Sequence, residues 1–175
     1  MPVRLFVGVW PDPDAQVALS TVVPNASVSA LRWVAPWNWH VTLAFLGSLD
    51  EDTSQDIARA LRSVGSAISP ATAVLGPKTR ILGRGVLCVP VDGLVELAAA
   101  VRTVTDPLVA PEHRESRFVG HLTLARAPRR GSVPRWVAGA SVSAAWVVRE
   151  IRLVSSMSDS AGSHYTAREV VALGG

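Results

Sequence analysis

At 175 residues, 49% of them hydrophobic, the chain is long enough to bury a proper core and fits one domain over 1–175, or two small lobes packed closely together. Cys88 is its only cysteine, which excludes an internal disulfide framework and any multi-cysteine metal site. The formal charge is only +3, yet Lys78 is the sole lysine; arginine's planar fork suits phosphate groups, although a plain compositional preference for arginine gives the same count.

No apolar run is long enough to span a membrane, and the start, Met1-Pro2-Val3-Arg4-Leu5-Phe6, lacks a signal-peptide core followed by a small-residue cleavage site. A cytoplasmic protein with no membrane partner is therefore expected. Val3, Leu5, Val7 and Val9 alternate with Arg4, Phe6, Gly8 and Trp10 as far as Pro11, the pattern of a strand. Asp12 or Asp14 is placed to cap a helix running through Val23, where Pro24-Asn25 breaks it. Residues 39–46 form a second strand, closed by Gly47. Ile57, Ala60, Leu61, Val64 and Ile68 recur at helical spacing behind the capping candidates Ser48, Asp50 and Asp52. Short strands follow near 72–76, 79–82 and 86–91, with Cys88 among apolar neighbours in the last, as a buried structural thiol. A further helix carries Leu94, Leu97, Ala98, Val101, Thr105 and Leu108 on one face and gives way to a polar loop at 111–116. The rest reads as strands at 121–126, 142–155 and 165–173, with a Gly/Ser-containing loop over 155–163. Helices and strands are interspersed without a strict βαβ rhythm, which predicts an α+β fold.

One six-residue phrase occurs twice: His40-Val41-Thr42-Leu43-Ala44-Phe45 and His121-Leu122-Thr123-Leu124-Ala125-Arg126, starting 81 residues apart. That spacing is far longer than a solenoid period, and duplication of a half-domain explains it. Side chains alternate along a strand, so each copy presents a histidine and a threonine together. Two imidazoles facing each other across a cleft, about a pseudo-twofold axis, supply an acid and a base near neutral pH. The competing readings are two satisfied core histidines in duplicated strands, or a zinc site. Neither a cysteine cluster nor a His-x-x-x-His spacing supports zinc.

These residues resemble the two-histidine phosphoesterases, and within them the RNA 2′,3′-cyclic phosphodiesterases also called 2′-5′ RNA ligases. The similarity extends to Arg4-Leu5-Phe6-Val7, Arg32-Trp33-Val34, the stretch Asn38 to Gly47, and Tyr165-Thr166, and so covers nearly the whole chain. Family members commonly carry prolines shortly before and directly ahead of the second motif, whereas this chain reads Arg117-Phe118-Val119-Gly120-His121. The resemblance implies a bilobal fold of two pseudo-symmetric lobes of antiparallel sheet, with helices outside and a central cleft. It implies hydrolysis of RNA 2′,3′-cyclic ends to 2′-phosphates, with 2′-5′ ligation as the reverse capability. His40 would be the proton donor, His121 the proton acceptor, and Thr42 and Thr123 donors to the non-bridging oxygens. No metal or other cofactor is implied. The partner would be RNA with a 2′,3′-cyclic phosphate end or a cyclic nucleotide such as the cyclic phosphate of ADP-ribose, met by a monomer; a catalytically idle module that binds RNA ends is the alternative from another class.

Further substrate-binding candidates are Arg126, Phe45, Tyr165 and Phe118. Arg126 resembles the arginine closing the family's second motif, but strict alternation from His121 puts it on the opposite face unless a bulge intervenes. By the same count Phe45 faces away from His40, toward the core. Trp33, Trp37 and Trp39 offer stacking surfaces of which at most one is expected to meet a base, with Trp39 on the core side. His113 and His164 are expected to face solvent, with a place along the cleft as the alternative.

Overall fold

The computed structural model describes residues 2–23, 31–114, 117–159 and 162–174. Ten strands and three α-helices follow in the order β1 (Val3–Val9), α1 (Pro13–Ser20), β2 (Arg32–Trp33), β3 (Val41–Leu49), α2 (Glu51–Ala67), β4 (Ala71–Leu75), β5 (Arg80–Leu82), β6 (Val86–Asp92), α3 (Val95–Thr105), β7 (His121–Arg126), β8 (Ala144–Val148), β9 (Glu150–Asp159) and β10 (Gly162–Ala172). The helix starts follow capping chemistry. Asp12 accepts a hydrogen bond from the Ala15 N–H and Asp50 one from the Thr53 N–H, each relieving a donor that the first turn leaves unpaired. Helix α1 stops at Ser20 rather than running to Val23; the Pro24-Asn25 break lies outside the described residues.

The strands form one curled antiparallel sheet in the order β10-β9-β1-β3-β7-β6-β4-β8, with β2 beside β7 and β5 beside β6. The duplication is visible in this order. Strand, helix and motif strand occur as β1-α1-β3 and again as β6-α3-β7, each strand pair adjacent and antiparallel, and the two motif strands meet in the middle through Val41 opposite Leu122. Around that junction β9 and β10 complete the first lobe, and β4 and β8 the second.

The predicted strand over 142–155 is two strands. β8 pairs with β4 and β9 pairs with β1, so a continuous β-pattern divides between opposite ends of the sheet around Arg149. The expected loop over 155–163 is strand instead: β9 continues to Asp159 and pairs with β10 from Gly162 onward, which the Ser-rich composition hides. Helices cover one face, with α2 on α3, β9 and β10, α3 on β3, and α1 on β8. Under them one continuous apolar cluster includes Leu5, Val7, Val9, Leu43, Ile57, Leu61, Leu97, Leu122, Leu124, Ile151 and Leu153. Among the described residues no helix is long and apolar enough to cross a membrane.

Gly47 does not close its strand. It lies inside β3 with a φ of 76°, where the pairing to β1 slips by one residue, and the His113 ring occupies the space a Cβ would need.

Candidate active site

Both motif strands contain a bulge, and it falls at the same place in each phrase. On β3, Gly8 pairs with Thr42 and Val7 with Ala44, leaving Leu43 extra; on β7, Cys88 pairs with Thr123 and Leu87 with Ala125, leaving Leu124 extra. A bulge sets two successive side chains on one side of the sheet. Leu43 and Ala44 are both buried, as are Leu124 and Ala125, which explains why the repeat shares a Leu-Ala pair. Burial of each leucine contributes about 1.5–3 kcal/mol, enough to hold the irregular register in place.

Beyond each bulge the parity inverts, which corrects the expectation that Phe45 faces the core and supplies the bulge on which the place of Arg126 depended. Phe45 pairs with Phe6, whose ring stacks on His40 at 4.8 Å, so Phe45 lies on the histidine face and is only half-buried. Its ring carries the Arg4 guanidinium at 4.7 Å. Arg126 pairs with Val86, two positions along β6 from the Cys88 that faces Thr123, so it returns to the face of His121 and Thr123 and is exposed there. The antiparallel register fixed at Val41 and Leu122 sets His40 across from Thr123 and Thr42 across from His121. Each imidazole therefore stands beside the other copy's hydroxyl.

The two histidines are tethered alike. His40 Nδ1 lies 2.7 Å from the Asn38 carbonyl oxygen and His121 Nδ1 2.7 Å from the Val119 carbonyl oxygen. A carbonyl only accepts, so each Nδ1 carries the hydrogen and each Nε2 is the nitrogen left to exchange a proton. Their surroundings differ. His40 is packed by Trp10 (5.2 Å, nearly parallel) and by the edge of Tyr165 (5.2 Å), and Gly8 lies beneath it, where a Cβ would stand 3.0 Å from the Val41 carbonyl oxygen and 3.5 Å from the imidazole. Burial, with the nearby charges of Arg126 and His121, lowers the His40 pKa to about 4, against a smaller upward pull from the Asn38 carbonyl. His40 is neutral in the free protein at ordinary pH.

The remaining sequence candidates separate. Tyr165 joins the site from β10, opposite Ser156 of β9, which in turn faces Arg4. Phe118 does not join the histidine pair; its half-buried side chain packs on the core and lines a depression with Arg102, Arg114 and Arg117 that includes neither histidine. Trp39 is buried and donates from Nε1 to the Val34 carbonyl, Trp33 packs on the core, and Trp37 is exposed. His113 rests against Gly47 toward the far end of β3, and His164 is exposed on the face of β10 opposite Tyr165. Cys88 is buried, and burial pushes its thiol pKa up. Among the described residues no group of three or more His, Cys, Asp or Glu side chains is arranged to hold a metal ion.

Sequence reasoning missed Trp10 and Phe6 as neighbours of His40. Their spacing at every second residue from Gly8, on the face opposite Val7 and Val9, was the available signal.

Residues 11–159 match the family model of the 2′-5′ RNA ligase superfamily. Among solved structures the fold is similar to TT0787 of Thermus thermophilus, at 23% identity and a TM-score of 0.85 over 97% of each chain. It is also similar to E. coli LigT complexed with 3′-AMP, at 23% identity and a TM-score of 0.77 over 100% of each chain. The MHV ns2 PDE domain is more distant, at 14% identity and a TM-score of 0.59 over 87% of this chain and 99% of that one. No curated protein sequence matches the chain. The paired histidine strands, the curled sheet and the family match agree: the chain belongs to the 2′-5′ RNA ligase superfamily of two-histidine phosphoesterases.

Proposed function

We propose that the protein opens RNA 2′,3′-cyclic phosphate ends to 2′-phosphomonoesters by metal-independent acid–base catalysis between His40 and His121. One observation carries the reading. Two imidazoles with the same Nδ1-to-carbonyl tether, each beside the opposite copy's threonine, leave two proton-exchanging Nε2 atoms, with an arginine on the same face. This set of groups suits in-line displacement at phosphorus, which needs one proton removed, one delivered, and negative charge stabilised between them.

In the proposed reaction water attacks phosphorus while His121 Nε2 takes its proton. The bond from phosphorus to O3′ breaks as protonated His40 Nε2 gives a proton to the departing oxygen. The product carries a 2′-phosphate and a free 3′-hydroxyl, and the histidines re-exchange protons with solvent. Thr42 and Thr123 donate to the non-bridging oxygens, and Arg126 offsets the charge that grows there. His40 needs a proton to act as the acid, and a bound phosphodiester favours one: its negative charge opposes the repulsion from Arg126 and His121 that helps to depress His40. A 5′-hydroxyl in place of water gives a 2′-5′ linkage by the same proton movements.

The test is incubation of the purified chain with a 2′,3′-cyclic-phosphate oligonucleotide and a panel of cyclic nucleotides, including the ADP-ribose cyclic phosphate, followed by mapping of the product phosphate. A 2′-phosphate product formed undiminished in chelator is expected. Turnover of the small cyclic nucleotides alone moves the substrate class, and binding of the ends without turnover leaves the idle-module reading.

A further inference from the structure

The register gathers more cations on the cleft face than the motifs account for. Where β3 diverges from β7, β2 takes its place and sets Arg32 directly opposite Arg126. Directly opposed residues project to one face with Cβ atoms about 5 Å apart, so Arg32 faces the cleft as Arg126 does. On the other side of β7, Arg80 stands opposite Cys88, which stands opposite Thr123, and it shares that face. Like charges directly across a ladder destabilise it. Four other arginines are matched with carboxylates: Arg59 with Asp56, Arg62 with Glu169, Arg152 with Glu150 and Arg168 with Glu51. Arg32 and Arg126 have no carboxylate partner among the described residues, and both are exposed. Two guanidinium forks facing one way without an acid are stabilised by an anion held between them.

We propose that Arg32, standing beside Arg126, binds the phosphodiester immediately upstream of the cyclic end, so that the site prefers an oligonucleotide to a cyclic mononucleotide. This rests on the hydrolase reading of the histidine pair. Thr123 and Arg126 face positions two apart on β6, which is about 7 Å along the sheet, and Arg32 lies a further strand across. The reacting phosphate between the histidines, within reach of Arg126, and an anion held by Arg32 therefore occupy neighbouring places, a short step apart on one basic face. Single-stranded nucleic acid is gripped in this way, by cations that follow its backbone.

The test compares kcat/KM of the wild type, Arg32→Gln and Arg32→Lys on three substrates: a 2′,3′-cyclic mononucleotide, a dinucleotide with one upstream phosphodiester and the same cyclic end, and that dinucleotide with an uncharged methylphosphonate linkage. Arg32→Gln is expected to lower the rate on the charged dinucleotide about tenfold more than on the mononucleotide, the worth of one charge-assisted hydrogen bond. The methylphosphonate should slow the wild type and leave Arg32→Gln no slower than on the charged dinucleotide, and Arg32→Lys should recover part of the preference. Equal loss on all three substrates, no loss on any, or a wild type indifferent to the upstream charge overturns the inference. A wild type that opens none of the three overturns the hydrolase reading, and this inference with it.

Discussion

The two halves of the cleft carry the same motif and present different chemistry. Around the first copy the histidine face is built of rings: Phe6, Trp10 and Tyr165 enclose His40, and Phe45 lies beyond the bulge, with the Arg4 guanidinium over Phe45 and that of Arg152 over Trp10. Around the second copy the same face carries guanidinium groups: Arg126 beyond the bulge, with Arg32 and Arg80 alongside. Duplication supplied the paired histidines, threonines and bulges. The flanking positions differ: on one side the arginines lie over aromatic rings, and on the other, among the described residues, they stand without them. The difference also reaches the titration of the site, because the rings desolvate His40 while Arg126 repels its proton.

Exchanging either histidine tests what the halves share. His40→Ala and His121→Ala are each expected to lower the rate on a 2′,3′-cyclic end by about 10²–10⁴-fold; activity within tenfold of the wild type in both would sink the acid–base assignment. The comparison sharpens with Arg126→Ala, for which a loss on the order of 10²-fold is expected, together with an acid limb of kcat/KM moved upward from about 4 because a nearby cation is gone. On the ring side, Tyr165→Leu or Trp10→Leu should cost less, roughly two- to tenfold for a lost aromatic contact. Those variants should also raise the acid limb, since they admit water to His40, and an unmoved limb would show that the rings do not set its titration.

A further effect is on stability. The His40 pKa is lowered on folding, from 6.5 to about 4, so the unfolded chain binds the proton more readily. The neutral imidazole's contribution is fully present above pH 6.5 and is lost as pH falls from there toward 4, by at most about 1.4 kcal/mol per pH unit. Denaturant unfolding of His40→Gln should show a shallower decline across that window than the wild type.

The histidine and threonine positions were legible because strand alternation acts locally, and the motif repeats it. Phe45 was not readable on the histidine face, and Arg126 only on condition of a bulge, because a bulge is decided by the partner strand, β1 in one copy and β6 in the other, and not by the phrase itself. The same limit hid the division of 142–155, whose two parts find partners at opposite ends of the sheet. Asp50 was readable as a cap from its own neighbours. Arg32 was not readable as part of the cleft face, because only pairing with β7 brings it beside Arg126.

The crossed arrangement, each imidazole beside the other copy's threonine, bears on regiochemistry. A site with perfect twofold symmetry would accept a cyclic phosphate in either orientation about its axis, and water could then expel O2′ as readily as O3′. Acid and base would trade roles with each turn of the substrate, and the product would be a mixture of 2′- and 3′-phosphates. Unequal flanks remove that degeneracy: a nucleoside seated on the rings, with its upstream chain toward the arginines, presents only one ribose oxygen to His40. Under the hydrolase reading, a single product isomer is therefore a consequence of the two copies having stopped being alike.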